Sequence, residues 1–128
     1  MKRITKESVI SMHRLLIEQY GGLDGIRDEN LLESECLMPY QTFGGEELFP
    51  TPYDKATRFL FGFATNQIFF DGNKRIAVNT MLVCLQLYGI IVQYSDEELI
   101  QMGLDVANGI MKEDEVIKSL KRHTIRLI

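Results

Sequence analysis

An acid, a glycine, an amide and two cations in a row, Asp71-Gly72-Asn73-Lys74-Arg75, are the residues of this chain whose types and order suit chemistry. Apolar positions at helical spacing (Ala56, Phe59, Leu60, Phe63) lead into them, and a long apolar run from Ala77 to Leu87 leads out. The five residues thus form a polar turn at the start of a helix. A helix N-terminus offers unpaired N–H groups and the positive end of the helix dipole, a natural seat for a phosphate. Gly72 allows close backbone approach, Lys74 and Arg75 supply charge, and Asp71 has the chemistry to hold a divalent metal against phosphates. Asp-Gly-Asn also starts turns and helices without binding anything, and a Lys-Arg pair can be a solvated face; both readings stay open on five residues. No GxxxxGK[ST] string occurs, so this is not the phosphate loop of the common nucleotide hydrolases.

The surrounding residues narrow the choice. Asn66-Gln67-Ile68-Phe69-Phe70-Asp71-Gly72-Asn73-Lys74-Arg75-Ile76-Ala77 resembles the signature of the Fic/Doc superfamily in its death-on-curing (Doc) branch, roughly H-x-F-x-D-[AG]-N-K-R-[TI]-A. Tyr20-Gly21-Gly22, Gly25-Ile26-Arg27-Asp28, Leu31-Leu32-Glu33-Ser34 and Thr42-Phe43-Gly44-Gly45-Glu46-Glu47-Leu48-Phe49-Pro50 resemble the same branch in the same order. The likeness runs from about Ile4 to the last helix. One position departs: Gln67 stands where the family carries its catalytic histidine, and the only histidines, His13 and His123, lie far from the motif.

The resemblance implies an ATP-dependent transfer onto a hydroxyl side chain of a target protein. The wider Fic branch moves AMP. The Doc branch, marked by lysine at the place of Lys74, is associated with moving the terminal phosphate to a threonine of elongation factor Tu, with a partner antitoxin blocking the site. Val78, where the wider branch repeats an arginine, also favours phosphate. On this likeness Asp71 coordinates Mg²⁺, and the backbone around Gly72 and Asn73 forms an anion nest. Lys74 and Arg75 stabilise shifting charge on the phosphates of ATP. Phe69 anchors the loop, and Asn79 either steadies the loop or nucleotide or is a satisfied buried amide. Thr42, Phe43, Gly44 and Gly45 belong to the flap, where a target segment can dock by adding a strand, or to an ordinary surface loop.

A glutamine amide has no useful basicity; it can orient a hydroxyl but not take its proton. Losing a general base typically costs about 10²–10⁴-fold in rate. The expectation is therefore an enzyme-shaped site that binds nucleotide and transfers very weakly. A naturally silenced protein, a chain altered so that its host survives, and a chemistry needing no base here are the open explanations. The self-inhibitory string [ST]-x-x-x-E-[GN] of many Fic proteins does not occur; Thr42 to Glu47 comes nearest and fails at its last position. Control then falls to another chain, an antitoxin tail folding into a groove as a helix.

The 128 residues, 45% of them hydrophobic and 25% charged, fit one domain over 1–128 with a single core. A net charge of -4 speaks against broad neutralisation of nucleic-acid phosphates, which leaves Lys74 and Arg75 as a local cationic pair. Cys36 and Cys84 have no metal spacing and read as buried thiols in a reducing cytoplasm. Met1-Lys2-Arg3-Ile4 shows no secretory pattern, and the apolar stretch Met81 to Val92 is too short to span a bilayer.

Helical periodicity dominates the elements that must position the motif. Thr5 caps a helix with Val9, Met12, Leu16 and Tyr20 on one face and His13 at its border, ended by Gly21-Gly22. Asp28 caps a short helix through Cys36 that stops before Pro39. Pro39 to Thr51 reads as a loop with a hairpin turn at Gly44-Gly45, flanked by Thr42-Phe43 and Leu48-Phe49. Thr51-Pro52 opens the next helix, and the helix after the motif, apolar on several faces, reads as central until Gly89. Ser95-Asp96-Glu97-Glu98 is a capping box for a helix to about Asn108, and Glu113 to about His123 gives the last. The expected fold is all-α, a helical bundle around a buried helix with a short flap.

Overall fold

A computed structural model describes residues 3–128; Met1 and Lys2, the start of the stretch read as lacking a secretory pattern, lie outside them. Among the described residues six α-helices form at the expected places: α1 Lys6–Tyr20, α2 Glu29–Leu37, α3 Pro52–Thr65, α4 Asn73–Leu87, α5 Asp96–Ala107 and α6 Glu113–Arg122. Thr5, Asp28, Thr51 and Ser95 each accept a backbone N–H of the first turn, as capping residues do. The domain is mostly α, as the periodicity requires.

The core gathers Val9, Leu32, Phe59, Leu60, Phe63, Ile76, Met81, Leu85 and Leu120, all essentially without solvent exposure. Helix α4 lies against α1, α3, α5 and the strand that follows it. Helix α3 shares that central place, because Ala56, Phe59, Leu60, Phe63 and Ala64 bury its inner face and it touches α5 and α6 besides. Burial of each such Phe or Leu contributes about 1.5–3 kcal/mol. The pair α3–α4 is thus the rigid floor from which the motif between them is presented.

Three local features differ from the expectation. Pro39 sits inside a 3-10 turn, Met38–Tyr40, that directly continues α2 rather than opening a loop. The hairpin is tighter than Thr42-Phe43 with Leu48-Phe49: β1 Thr42–Phe43 pairs with β2 Glu46–Glu47, Thr42 opposite Glu47 and Phe43 opposite Glu46. Gly44 and Gly45 both take positive φ (59° and 83°), which makes a two-residue turn whose twist suits the strands, so pairing resumes at Glu46. Buried Lys55 of α3 fastens this hairpin, its Nζ 3.0 Å from Glu47 Oε1 and donating to the Phe49 carbonyl. Finally, β3 Ile90–Val92 pairs antiparallel with β4 Thr124–Leu127, a closure joining distant segments. Among the described residues no helix is long and apolar enough to cross a membrane.

Candidate anion-binding site at the N-terminus of α4

Helix α4 begins without a capping side chain. Its N-cap is Gly72, in the left-handed region (φ 77°, ψ 17°), and the first helical hydrogen bond runs from Ile76 N–H to the Gly72 carbonyl at 2.9 Å. The N–H groups of Asn73, Lys74 and Arg75 therefore precede the helical ladder. A left-handed residue followed by right-handed ones curls successive N–H groups into a concavity that suits an anion. Gly72 is needed here because a side-chain residue would be strained at this φ.

These residues open on a cavity of about 530 Å³. Lys74 and Arg75 stand exposed at its mouth, and Val78, Asn79 and Leu82 continue its wall along α4. Helix α5 supplies the facing wall through Leu99, Ile100 and Leu104. It comes close because Gly103 has no side chain: a Cβ there would meet Val78 Cγ2 at 3.4 Å and Lys74 Cβ at 3.5 Å. The cavity thus has cations and backbone amides at one end and a mostly apolar wall that Asn79 and Asp96 interrupt.

The other motif residues are placed as follows. Asn73 does not turn its side chain to the cavity; the amide clamps the loop, its Oδ1 accepting from Phe69 N–H at 3.0 Å and its Nδ2 donating to the Phe69 carbonyl at 2.9 Å. Phe69 is buried, as an anchor must be. Gln67 is exposed, with its Oε1 at 3.5 Å from Asn73 Nδ2, beside the α4 N-terminus. Arg27 Nη1 holds the Gln67 carbonyl at 3.0 Å, and the Arg27 and Asp28 amides both donate to Ile68. Asn79 is half-buried and donates to Met12 Sδ at 3.3 Å, leaving its carbonyl oxygen without a hydrogen bond among the described residues.

Asp71 is exposed at the tip of the turn. Its Oδ2 accepts the Leu23 N–H at 2.6 Å, and Oδ1 makes no hydrogen bond among the described residues. No cluster of three or more metal-ligating side chains occurs among those residues. That set fits Mg²⁺ held in the usual way beside a nucleotide, by one carboxylate with substrate phosphates and water, and does not fit an all-protein cage. The flap residues Thr42, Phe43, Gly44 and Gly45 are all exposed, Phe43 by 81%, and belong to the α3 side of the molecule rather than to the cavity lining.

Residues outside the motif complete the site. Tyr20 is 55% exposed instead of joining the core face of α1, and the guanidinium of Arg75 lies 4.4 Å from its ring centroid. His13 is buried and bonds the Asp71 carbonyl through Nε2 at 2.7 Å. A histidine on the border of an apolar helix face was the only hint of that contact in the chain. Cys36 and Cys84 are buried away from the cavity, and burial pushes both thiols up to about 12.

Residues 3–85 match the sequence profile described as the Fic/DOC family. The chain is 30% identical over 122 residues to "Protein kinase doc" of Escherichia phage P1, covering 95% of each chain. It is also 30% identical over 95 residues to "Toxin Doc" of Mycolicibacterium smegmatis, covering 74% of this chain and 72% of that one.

Proposed function

Because this chain belongs to the Fic/DOC family, we propose that it is the toxin component of a toxin–antitoxin pair, acting as one domain whose site is shaped for ATP-dependent phosphate transfer to a protein hydroxyl. The observation that carries the reading is the N-terminus of α4, where three amides without an acceptor among the described residues and two cations open on one cavity. The relatives named for kinase and toxin activity support the same direction.

In this reading the β- and γ-phosphates sit on the amides of Asn73, Lys74 and Arg75. Lys74 and Arg75 take up charge as the bond between the β-bridging oxygen and the terminal phosphorus lengthens. Asp71 would hold Mg²⁺, which would supply charge to neutralise the phosphate oxygens. The attacking hydroxyl, presented along the flap of Thr42 to Gly45, belongs to a target resembling elongation factor Tu. Gln67, beside the α4 N-terminus, is assigned to the attacking hydroxyl; its amide orients the group without accepting the proton, which passes to water. Transfer is accordingly slow.

The apolar length of the cavity between α4 and α5 suits an amphipathic helix from an antitoxin, which would cover the anion site. A second reading has its own observation: the Gln67 Oε1 lies 3.5 Å from the Asn73 amide, a polar partner rather than a base, as in a silent pseudoenzyme that binds nucleotide or antitoxin only. Transfer of AMP instead of phosphate is separated by the mass added to the target. The cytoplasm, where ATP and elongation factor occur together, is the compartment this function requires.

Converting Gln67→His tests the proposal. Phosphate transfer from labelled ATP should rise by about 10²-fold or more, and expression should become harmful. Unchanged transfer by a variant that still binds ATP would defeat the kinase reading.

A further inference from the structure

We propose that His13, a helix away from the motif, is a positioning residue for the anion loop; the proposal rests on the phosphate reading above. His13 is 1% exposed on the inner side of α1, and its Nε2 lies 2.7 Å from the carbonyl oxygen of Asp71. A carbonyl cannot donate, so Nε2 carries the proton. The ring stacks on Phe69 at 3.8 Å between centroids and 11° between planes. A Cβ at Gly72 would stand 3.5 Å from Nε2. One imidazole therefore contacts the aromatic anchor of the loop and the carbonyl at its tip, and borders the space beside the left-handed glycine.

The consequence follows from the planar peptide. The carbonyl of Asp71 and the N–H of Gly72 belong to one trans unit and point in opposite directions. By drawing the carbonyl toward α1, His13 turns the Gly72 N–H away from α1, adding a donor to those of Asn73, Lys74 and Arg75. It also locks the peptide that sets the entry of α4. On the far side of the ring Nδ1 lies 3.7 Å from Asp24 Oδ1, beyond hydrogen-bond reach, and the other oxygen of Asp24 lies 4.0 Å from Arg14 Nε, so the one hydrogen bond of the ring is the one to Asp71 among the described residues. An apolar residue of equal size would fill the space but leave the Asp71 carbonyl free to rotate.

The tautomer gives a direct readout. His123 is the only other histidine in the sequence, and its Nδ1 faces the Ser119 carbonyl at 2.8 Å, so it holds its proton on the opposite nitrogen. Imidazole ¹⁵N spectra in alkaline buffer should show one ring of each tautomer, with His13 protonated at Nε2. Two variants then separate positioning from packing. His13→Phe keeps the stack on Phe69 and loses the donor; His13→Gln restores an N–H near the place of Nε2. We expect His13→Phe to move the Gly72 and Asn73 amide resonances and weaken Mg·ATP binding about tenfold or more, with His13→Gln recovering most of both. Unmoved resonances with wild-type affinity in His13→Phe would overturn the proposal. So would a His13 proton found on Nδ1 in the unaltered protein, a result that needs no variant to fold. If the unaltered protein binds no nucleotide, the phosphate reading fails, and the tautomer and the Gly72 resonance decide the role of His13 alone.

Discussion

The side-chain amide of Asn73 pairs with both backbone polar groups of Phe69, accepting from its N–H at 3.0 Å and donating to its carbonyl at 2.9 Å. It takes the place of a neighbouring strand for a residue that has none on that side. The relationship joins the first residue of α4 to the buried anchor of the loop, so the direction of the helix amides and the depth of the loop are set together.

Asn73→Asp should therefore be more damaging than its size implies. The carboxylate still accepts from Phe69 N–H but cannot donate, and its anionic oxygen faces the negative end of the Phe69 carbonyl dipole. We expect a stability loss of about 1–3 kcal/mol, the penalty for an unmet partly buried polar group. ATP binding should fall as well, because the added charge sits beside the phosphates. Denaturant unfolding and calorimetry check both. An Asn73→Asp protein as stable as the parent would show that the clamp is ornamental.

Asp71 separates a structural from a metal-binding role through two substitutions. Asp71→Asn keeps an acceptor for the Leu23 N–H and loses the charge; Asp71→Ala loses both. Since the turn is exposed, either should cost about 1 kcal/mol or less in stability. Both should abolish the Mg²⁺ dependence of ATP affinity. Loss of stability in Asp71→Ala, with the Mg²⁺ dependence intact in Asp71→Asn, would confine Asp71 to holding the Leu23 turn.

The path from sequence to site was clear where the physics is local. Thr5, Asp28, Thr51 and Ser95 announce helix starts through short-range hydrogen bonds, and all four make them. Gly72 was legible as a point of close backbone approach, while its left-handed conformation (φ 77°) is a finding of the structure. What stayed hidden depends on contacts between distant parts of the chain. His13 meets Asp71 across 58 positions, and nothing in the spacing of α1 separates that contact from a histidine at the edge of a core. Tyr20 obeys the apolar period of α1 yet stacks on Arg75, because the last turn of the helix runs beyond the core. The pairing of Ile90–Val92 with Thr124–Leu127 is likewise a long-range closure, each strand too short to signal itself. The departure of Gln67 from the resembled signature is visible in the sequence, while its contact with the Asn73 amide is not.

Alkaline pH should destabilise the fold through groups remote from the site. Burial raises the Cys36 and Cys84 thiols from an ordinary 9.0 to about 12, and the Tyr40 hydroxyl from 10.0 to about 12. The folded protein thus keeps these protons to a higher pH than the unfolded chain does. Their contribution is present below about 9 and is lost as pH climbs from there through about 12. Thermal midpoints should fall steadily over that window, and thiol reagents should label the folded protein far more slowly than the denatured one. Rapid labelling of both cysteines in the folded state would contradict this placement of the two helices.

The central claim is that the amides opening α4, with Lys74 and Arg75, hold a magnesium-bound triphosphate even though Gln67 cannot complete the chemistry. Calorimetric titration of ATP into the unaltered protein, with and without Mg²⁺, tests it most directly, with a Lys74→Ala, Arg75→Ala double variant as the control. The expected result is Mg²⁺-assisted binding that weakens by about tenfold or more in the double variant, as loss of charge-assisted phosphate contacts should cause. Absence of ATP binding, or equal affinity in parent and variant, would contradict the account.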